Sequence, residues 1–93
     1  MIGSLRGEVL DRSGAELLVE VAGLGYRVQV TPDVAMSMPP GESVFLHVHH
    51  HRREDAEVLY GFASLEDRRV FETLIGTHGV GPALGLAILS VHD

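Results

Sequence analysis

Thr77-His78-Gly79-Val80-Gly81-Pro82 sets two glycines around one apolar residue and follows them with a proline. Apolar periodicity runs away from it on both sides. From Glu66 to Gly76, the residues Val70, Phe71, Leu74 and Ile75 fall on one helical stripe. From Pro82 to Val91, the stripe is Leu84, Ala87, Ile88 and Val91. Spacings of i, i+1, i+4 and i+5 in the first and of i, i+3, i+4 and i+7 in the second predict two helices, each with one buried face. Pro82 suits the first position of the second helix, where no amide donor is needed. Glycine lets a backbone or a phosphate approach without a side chain in the way. The free amides at the second helix start form an anion site. A helix-hairpin-helix clamp on a nucleic-acid backbone has these requirements. The plain alternative is an ordinary helix-loop-helix turn whose glycines relieve steric strain. Gly85, four residues after Gly81, favours the clamp, because a small residue there lets the helices cross closely.

Upstream of Ser64 the period is two. Leu5 and Val9 alternate with Arg6 and Glu8, and Leu17, Val19 and Val21 with Glu16 and Glu20. Gly23-Leu24-Gly25 punctuates, and then Tyr26, Val28 and Val30 alternate with Arg27 and Gln29. Arg12-Ser13-Gly14 reads as the first turn. Thr31 and Pro32 open a short helical turn over 34–38, which Pro39-Pro40-Gly41 ends. A fourth strand is expected from Glu42 to His51 with Val44, Leu46 and Val48 on one face. A fifth is expected from Glu57 to Phe62, with Val58, Tyr60 and Phe62 facing one way. Five short strands with a helical interruption after the third predict a mainly β fold. It is a five-stranded OB-type barrel followed by a helix-hairpin-helix α segment. An SH3-like barrel is the structural competitor. Ser64 is the expected N-cap of the first long helix, with Asp67 three residues on.

The chain has 93 residues, 45% of them hydrophobic, and no cysteine, so disulfides and thiolate metal sites are excluded. Net charge is −6, with seven basic residues, all arginine. Without lysine there can be no P-loop. No Gly-x-Ser-x-Gly elbow and no His-Glu-x-x-His occur, so catalysis by this chain alone is not expected, and no cofactor is. An acidic balance counts against a basic nucleic-acid footprint. A clamp that works through backbone amides needs few basic side chains, however. No apolar run approaches the roughly 20 residues of a membrane span. The first residues lack the apolar core of a signal peptide, so a cytoplasmic location without a membrane partner is expected.

Two other clusters stand out. Arg52-Arg53-Glu54-Asp55-Ala56-Glu57 falls at a hairpin tip. It reads either as a solvated turn or as an acidic projection beside a basic pair, in which arginines reach phosphates while carboxylates repel them. His47, His49 and His51 share one strand face. Three imidazoles could bind zinc or copper. With no carboxylate at an obvious ligand spacing, a polar outer face is the stronger reading, and no metal is expected.

Several blocks together resemble the RuvA family, the Holliday junction-binding subunits of bacterial RuvAB branch-migration complexes. They are Met1-Ile2-Gly3 with Leu5-Arg6-Gly7, then Val21 with Gly23-Leu24-Gly25-Tyr26. Next come Arg53-Glu54-Asp55-Ala56 with Leu59-Tyr60-Gly61-Phe62, and Gly79-Val80-Gly81-Pro82 with Leu86-Ala87-Ile88-Leu89-Ser90. The resemblance implies an OB barrel over 1–62 that tetramerises, and over 63–93 the start of a helical domain. That domain carries two helix-hairpin-helix motifs in the family, of which this chain holds the first. DNA-backbone contacts fall on Thr77, His78, Gly79, Val80 and Gly81. The family's acidic pin falls on Glu54 and Asp55, with Arg52 and Arg53 as candidate phosphate contacts. The implied partners are four-way junction DNA, further copies in a homotetramer or two stacked tetramers, the RuvB motor ATPase through a third domain, and the RuvC resolvase. The implied setting is recombination and DNA repair. The chain stops at Val91-His92-Asp93 without a C-cap glycine, so a longer natural protein is expected. Many family members have a lysine after the Gly-Pro where this chain has Ala83, and a protonated His78 would partly compensate. A generic OB module for single strands is the alternative. It needs exposed aromatics, whereas alternation is expected to send most of Tyr26, Phe45, Tyr60 and Phe62 inward.

Overall fold

The computed structural model describes residues 1–91. The expected chain end at His92 and Asp93 lies outside the described residues. Five strands form: β1 (Ser4–Ser13), β2 (Glu16–Val21), β3 (Leu24–Gln29), β4 (Ser43–Arg52) and β5 (Glu57–Phe62). They close into one barrel in the order β1-β2-β3-β5-β4. Neighbours are antiparallel except β3 and β5, whose parallel pairs Val28↔Leu59 and Gln29↔Tyr60 complete the ring. Helix α1 (Pro32–Ser37) lies between β3 and β4 in the chain. This closed five-stranded arrangement is OB-type rather than the SH3-like competitor.

The apolar half of each alternation fills the barrel. Leu5, Val9, Leu17, Val19, Val28, Val30, Leu46, Val48 and Leu59 are buried, and Val34 and Ala35 of α1 join them. Burying each such valine or leucine contributes about 1.5–3 kcal/mol. Gly61 points inward where there is no room: a Cβ there would lie 2.6 Å from Val28 Cγ1 and 3.2 Å from Leu46 Cδ1.

Three local expectations change. The β2–β3 turn is Ala22-Gly23, at φ 51° and 87°, and Leu24 and Gly25 already pair with Val21 and Glu20 in the ladder. Two positive-φ residues make the tight hairpin whose twist matches its strands. Helix α1 starts at Pro32 rather than residue 34. Thr31 is its N-cap, and the Ala35 N–H donates to Thr31 O at 3.0 Å. Strand β4 runs one residue later than expected, to Arg52, which pairs with Glu57.

Helix α2 (Leu65–Ile75) begins where the period changes. Ser64 caps it, its Oγ accepting the Asp67 N–H at 3.1 Å. The buried face centres on Phe71, while Val70 of the expected stripe stays exposed. The Phe71 ring lies 5.1 Å from Tyr60, 5.0 Å from Phe62 and 5.5 Å from His49, centroid to centroid. Val58, Tyr60 and Phe62 do share a face, but it is the outer face of the barrel. Leu59 and Gly61 point in. Of the four barrel aromatics, only Tyr26 packs against the inner core. Tyr60 and Phe62 turn outward under α2, and Phe45 is 36% exposed with the Arg6 guanidinium 4.8 Å over its ring.

Helix α3 (Pro82–Ser90) crosses α2 at Gly85, whose added Cβ would stand 3.1 Å from Ile75 Cγ2 and 3.4 Å from Phe71 Cε1. The close crossing expected at Gly85 is present. The expected buried stripe is not: Leu84 is 50% and Val91 81% exposed, Ala87 is exposed, and only Ile88 is half-buried. Gly85 is the buried position instead. The helix is apolar nearly all round, so periodicity carried little directional information.

Candidate nucleic-acid interface

The hairpin between α2 and α3 is built from backbone. Gly76 ends α2, and the Thr77 N–H donates to Leu74 O at 3.0 Å while Thr77 Oγ1 donates to Thr73 O at 3.3 Å. Thr77 thus holds the exit of α2 by its hydroxyl. The Val80 N–H then donates to Thr77 O at 3.1 Å, closing a turn in which Gly79 takes φ 84°. Gly81 is the N-cap of α3 in extended conformation, Pro82 occupies the first turn, and no side chain caps the amides. Thr77, His78, Gly79 and Gly81 are exposed, and Val80 is half-buried.

The two glycines serve different needs. Gly79 is required by its positive φ. Gly81 has φ −87°, which any residue adopts, and a Cβ there would meet nothing within 4 Å. Nothing inside the fold demands glycine at 81. Its bareness leaves the uncapped helix start open to a group from outside.

The second element is the tip of the β4–β5 hairpin. Residues 53–56 form a turn closed by the Arg53 N–H donating to Ala56 O at 2.7 Å. Glu54 and Asp55 stand exposed at its end. Arg52 is drawn back along the stem, with Nε 3.8 Å from Glu57 Oε1. Hairpin and tip are carried by different elements, one by the α2–α3 loop and the other by the barrel.

His47, His49 and His51 do share the outer face of β4, and the ring of His51 lies 5.6 Å from that of His49. Each has other work. His49 Nδ1 is 2.9 Å from Glu72 Oε2, and His47 packs edge-on to Phe45 at 5.0 Å. Burial, then the neighbouring His49 and Arg53, hold the His51 imidazole below its ordinary value of 6.5. Among the described residues no group of three or more potential ligands is arranged to hold a metal ion.

Sequence reading missed the contacts that tie the parts together. Arg68 of α2 donates to Gly3 O at 3.4 Å, and His50 bridges Ile2 and Glu57. Arg68 and Gly3 lie 65 positions apart and His50 and Ile2 lie 48 apart, beyond any local pattern. A hydrogen bond from His50, then the Arg52 charge, holds the Glu57 carboxyl below the usual range. Burial pushes the Tyr60 phenol up. Among the described residues no helix is long and apolar enough to cross a membrane.

Residues 1–61 match the family model described as RuvA N terminal domain. Over 91 residues the chain is 47% identical to the Holliday junction branch migration complex subunit RuvA of Aliivibrio salmonicida, covering 97% of this chain and 44% of that protein. The protein of the same description from Aeromonas salmonicida is 50% identical over 97% of this chain and 45% of its own length. That from Leifsonia xyli subsp. xyli is 47% identical over 98% and 44%. The chain therefore spans less than half the length of these curated relatives.

Proposed function

The chain belongs to the RuvA family, and from that premise we propose that it is a structure-specific DNA-binding part of a branch-migration subunit that recognises four-way junctions. The observation that carries the reading is Gly81. It is bare at the uncapped start of α3 and free of any internal demand for glycine. In the proposed complex the amides that the turn leaves free, those of Gly79 and Gly81 and of the α3 start after Pro82, grip a phosphate backbone without reading bases. His78 and Thr77 flank that grip. Ala83 offers no charge, so His78 adds attraction when protonated.

Glu54 and Asp55 supply the selective step. The barrel over 1–62 is the proposed tetramerising unit, and in a four-fold assembly four copies of the tip surround the crossover. There the carboxylates repel phosphates and favour an open junction, while Arg52 and Arg53 meet phosphates at its rim. The subunit is non-catalytic. Strand movement is driven by a partner ATPase of the RuvB type, with the RuvC resolvase as a further partner in recombination and repair in the cytoplasm. The stacking of Tyr60 and Phe62 on Phe71 disfavours a single-strand module, since it covers the rings such a module needs.

The test compares labelled four-way junction, duplex and single strand across a salt series. Junction preference with a steep salt slope is expected, and Glu54→Gln with Asp55→Asn should tighten duplex binding. Equal affinity for all three DNAs would sink the proposal. Solution mass decides the assembly: a tetramer supports the axial tip, and a strict monomer removes it.

A further inference from the structure

The stem below the acidic tip carries a polar network that the roles above leave unused. His50 Nε2–H donates to Glu57 Oε1 at 2.6 Å, and His50 Nδ1 accepts the Ile2 N–H at 3.1 Å. A neutral ring with its proton on Nε2 satisfies both contacts. A ring protonated on both nitrogens has no acceptor left for Ile2. Ile2 belongs to the segment running along β4, where the Val48 N–H donates to Gly3 O at 2.9 Å. Arg52 approaches the same Glu57 oxygen, at 3.8 Å. Arg52 and Glu57 are the last pair of the β4–β5 ladder before the turn of residues 53–56.

We infer that His50 is a positioning residue for the acidic tip, a proton-sensitive bridge from the Ile2 backbone to Glu57 that decides whether Arg52 is held back from Glu54 and Asp55. The functional half rests on the junction-binding reading; the structural half does not. The groups facing His50 are Glu57 from β5 and the Ile2 backbone from the N-terminal segment, while Arg52 and the chain's amino group act on it through Glu57. Because His50 and Arg52 hold the Glu57 carboxyl below its ordinary range, Glu57 is still ionised where an imidazole titrates. When His50 takes its second proton, its contact with Glu57 becomes a full ion pair and Ile2 loses its acceptor. Arg52 then competes with a cation for one oxygen and is released toward the tip. An added positive charge beside Glu54 and Asp55 weakens their repulsion of phosphate.

The experiment follows backbone amides of the whole chain by NMR from about pH 8 to about pH 5, spanning the ordinary imidazole range. In the unaltered protein the Ile2, Glu54 and Asp55 amides should titrate with one shared midpoint. His50→Phe should remove that midpoint from Glu54 and Asp55. His50→Gln keeps a donor and an acceptor without a proton to gain. It should hold the Ile2 amide in place and also abolish the midpoint, which covers the case where the phenylalanine variant fails to fold. Persistence of the midpoint at Glu54 and Asp55 in a folded variant overturns the inference, as does an Ile2 amide that never titrates. In parallel, the junction-to-duplex affinity ratio should fall on acidification in the unaltered protein and stay flat in His50→Gln. Glu54→Gln with Asp55→Asn is the separate control. If that pair leaves the ratio unchanged, the role of the tip fails, while the NMR result still decides the His50 bridge.

Discussion

His49 Nδ1 lies 2.9 Å from Glu72 Oε2, joining the outer face of β4 to helix α2 across 23 positions of sequence. An ionised carboxylate only accepts, so the imidazole donates and its tautomer is set. Beside this bond the Phe71 ring fills the seam. Phe71→Ala should destabilise the protein by about 3–5 kcal/mol. A double-mutant cycle on His49→Ala and Glu72→Ala should give a coupling of about 0.5–1.5 kcal/mol. Urea unfolding measures both. Equal losses from the ring and from the polar pair would contradict the packing described.

Gly85 and Gly79 should respond differently to alanine. At Gly85 the added Cβ presses on Ile75 Cγ2 at 3.1 Å, a side-chain methyl that can yield. The gain in helix propensity is about 1 kcal/mol, so Gly85→Ala should be near neutral, whereas Gly85→Val should force α3 off α2. At Gly79 there is open space, but φ is 84°. Gly79→Ala should cost about 1–2 kcal/mol of turn geometry, read as a lower thermal midpoint, and should weaken DNA binding by the proposed clamp. Calorimetry and junction titration check the pair.

The β2–β3 turn can be improved. Ala22 holds φ 51°, a region asparagine tolerates better than alanine. Ala22→Asn should raise stability by about 0.5–1 kcal/mol, read as a higher thermal midpoint. A lower midpoint would mean that the turn is not held at positive φ.

Stability should depend on pH through His51 and Tyr60. The His51 imidazole is lowered by burial first, then by His49 and Arg53. The unfolded chain therefore binds the extra proton more readily. The contribution is full above the ordinary value of 6.5 and is lost as pH falls from there through the lower folded value. His51→Gln should flatten that slope. Burial raises the Tyr60 phenol from its ordinary value of 10.0, so the folded state keeps its proton longer and stability falls as pH rises beyond that value. Tyr60→Phe should remove the alkaline loss. Denaturant midpoints across pH test both.

Alternation revealed the five strands because each barrel strand has one dry face. It showed that Val58, Tyr60 and Phe62 share a face but not which face. A helix lying on the barrel makes part of the outside apolar too, and alternation is blind to that. The Ser64 cap and Pro82 start were readable because caps are local chemistry. The buried side of α3 was not, since Leu84, Leu86, Ile88 and Leu89 surround its axis. The hairpin and the tip were visible as composition. The bridge His50–Glu57–Ile2 was hidden, because alternation places His50 on the face opposite His47, His49 and His51 and the Ile2 contact spans 48 positions.

Closing β3 onto β5 leaves the sheet little free backbone edge. An open sheet offers its margin to any passing strand and can grow without limit. Here four seams are paired along their length and the fifth is shut at Val28↔Leu59 and Gln29↔Tyr60. With most of the backbone margin closed, a contact between copies would fall mainly to side chains on the outer wall. Such a contact can be rewritten residue by residue while the barrel beneath stays folded.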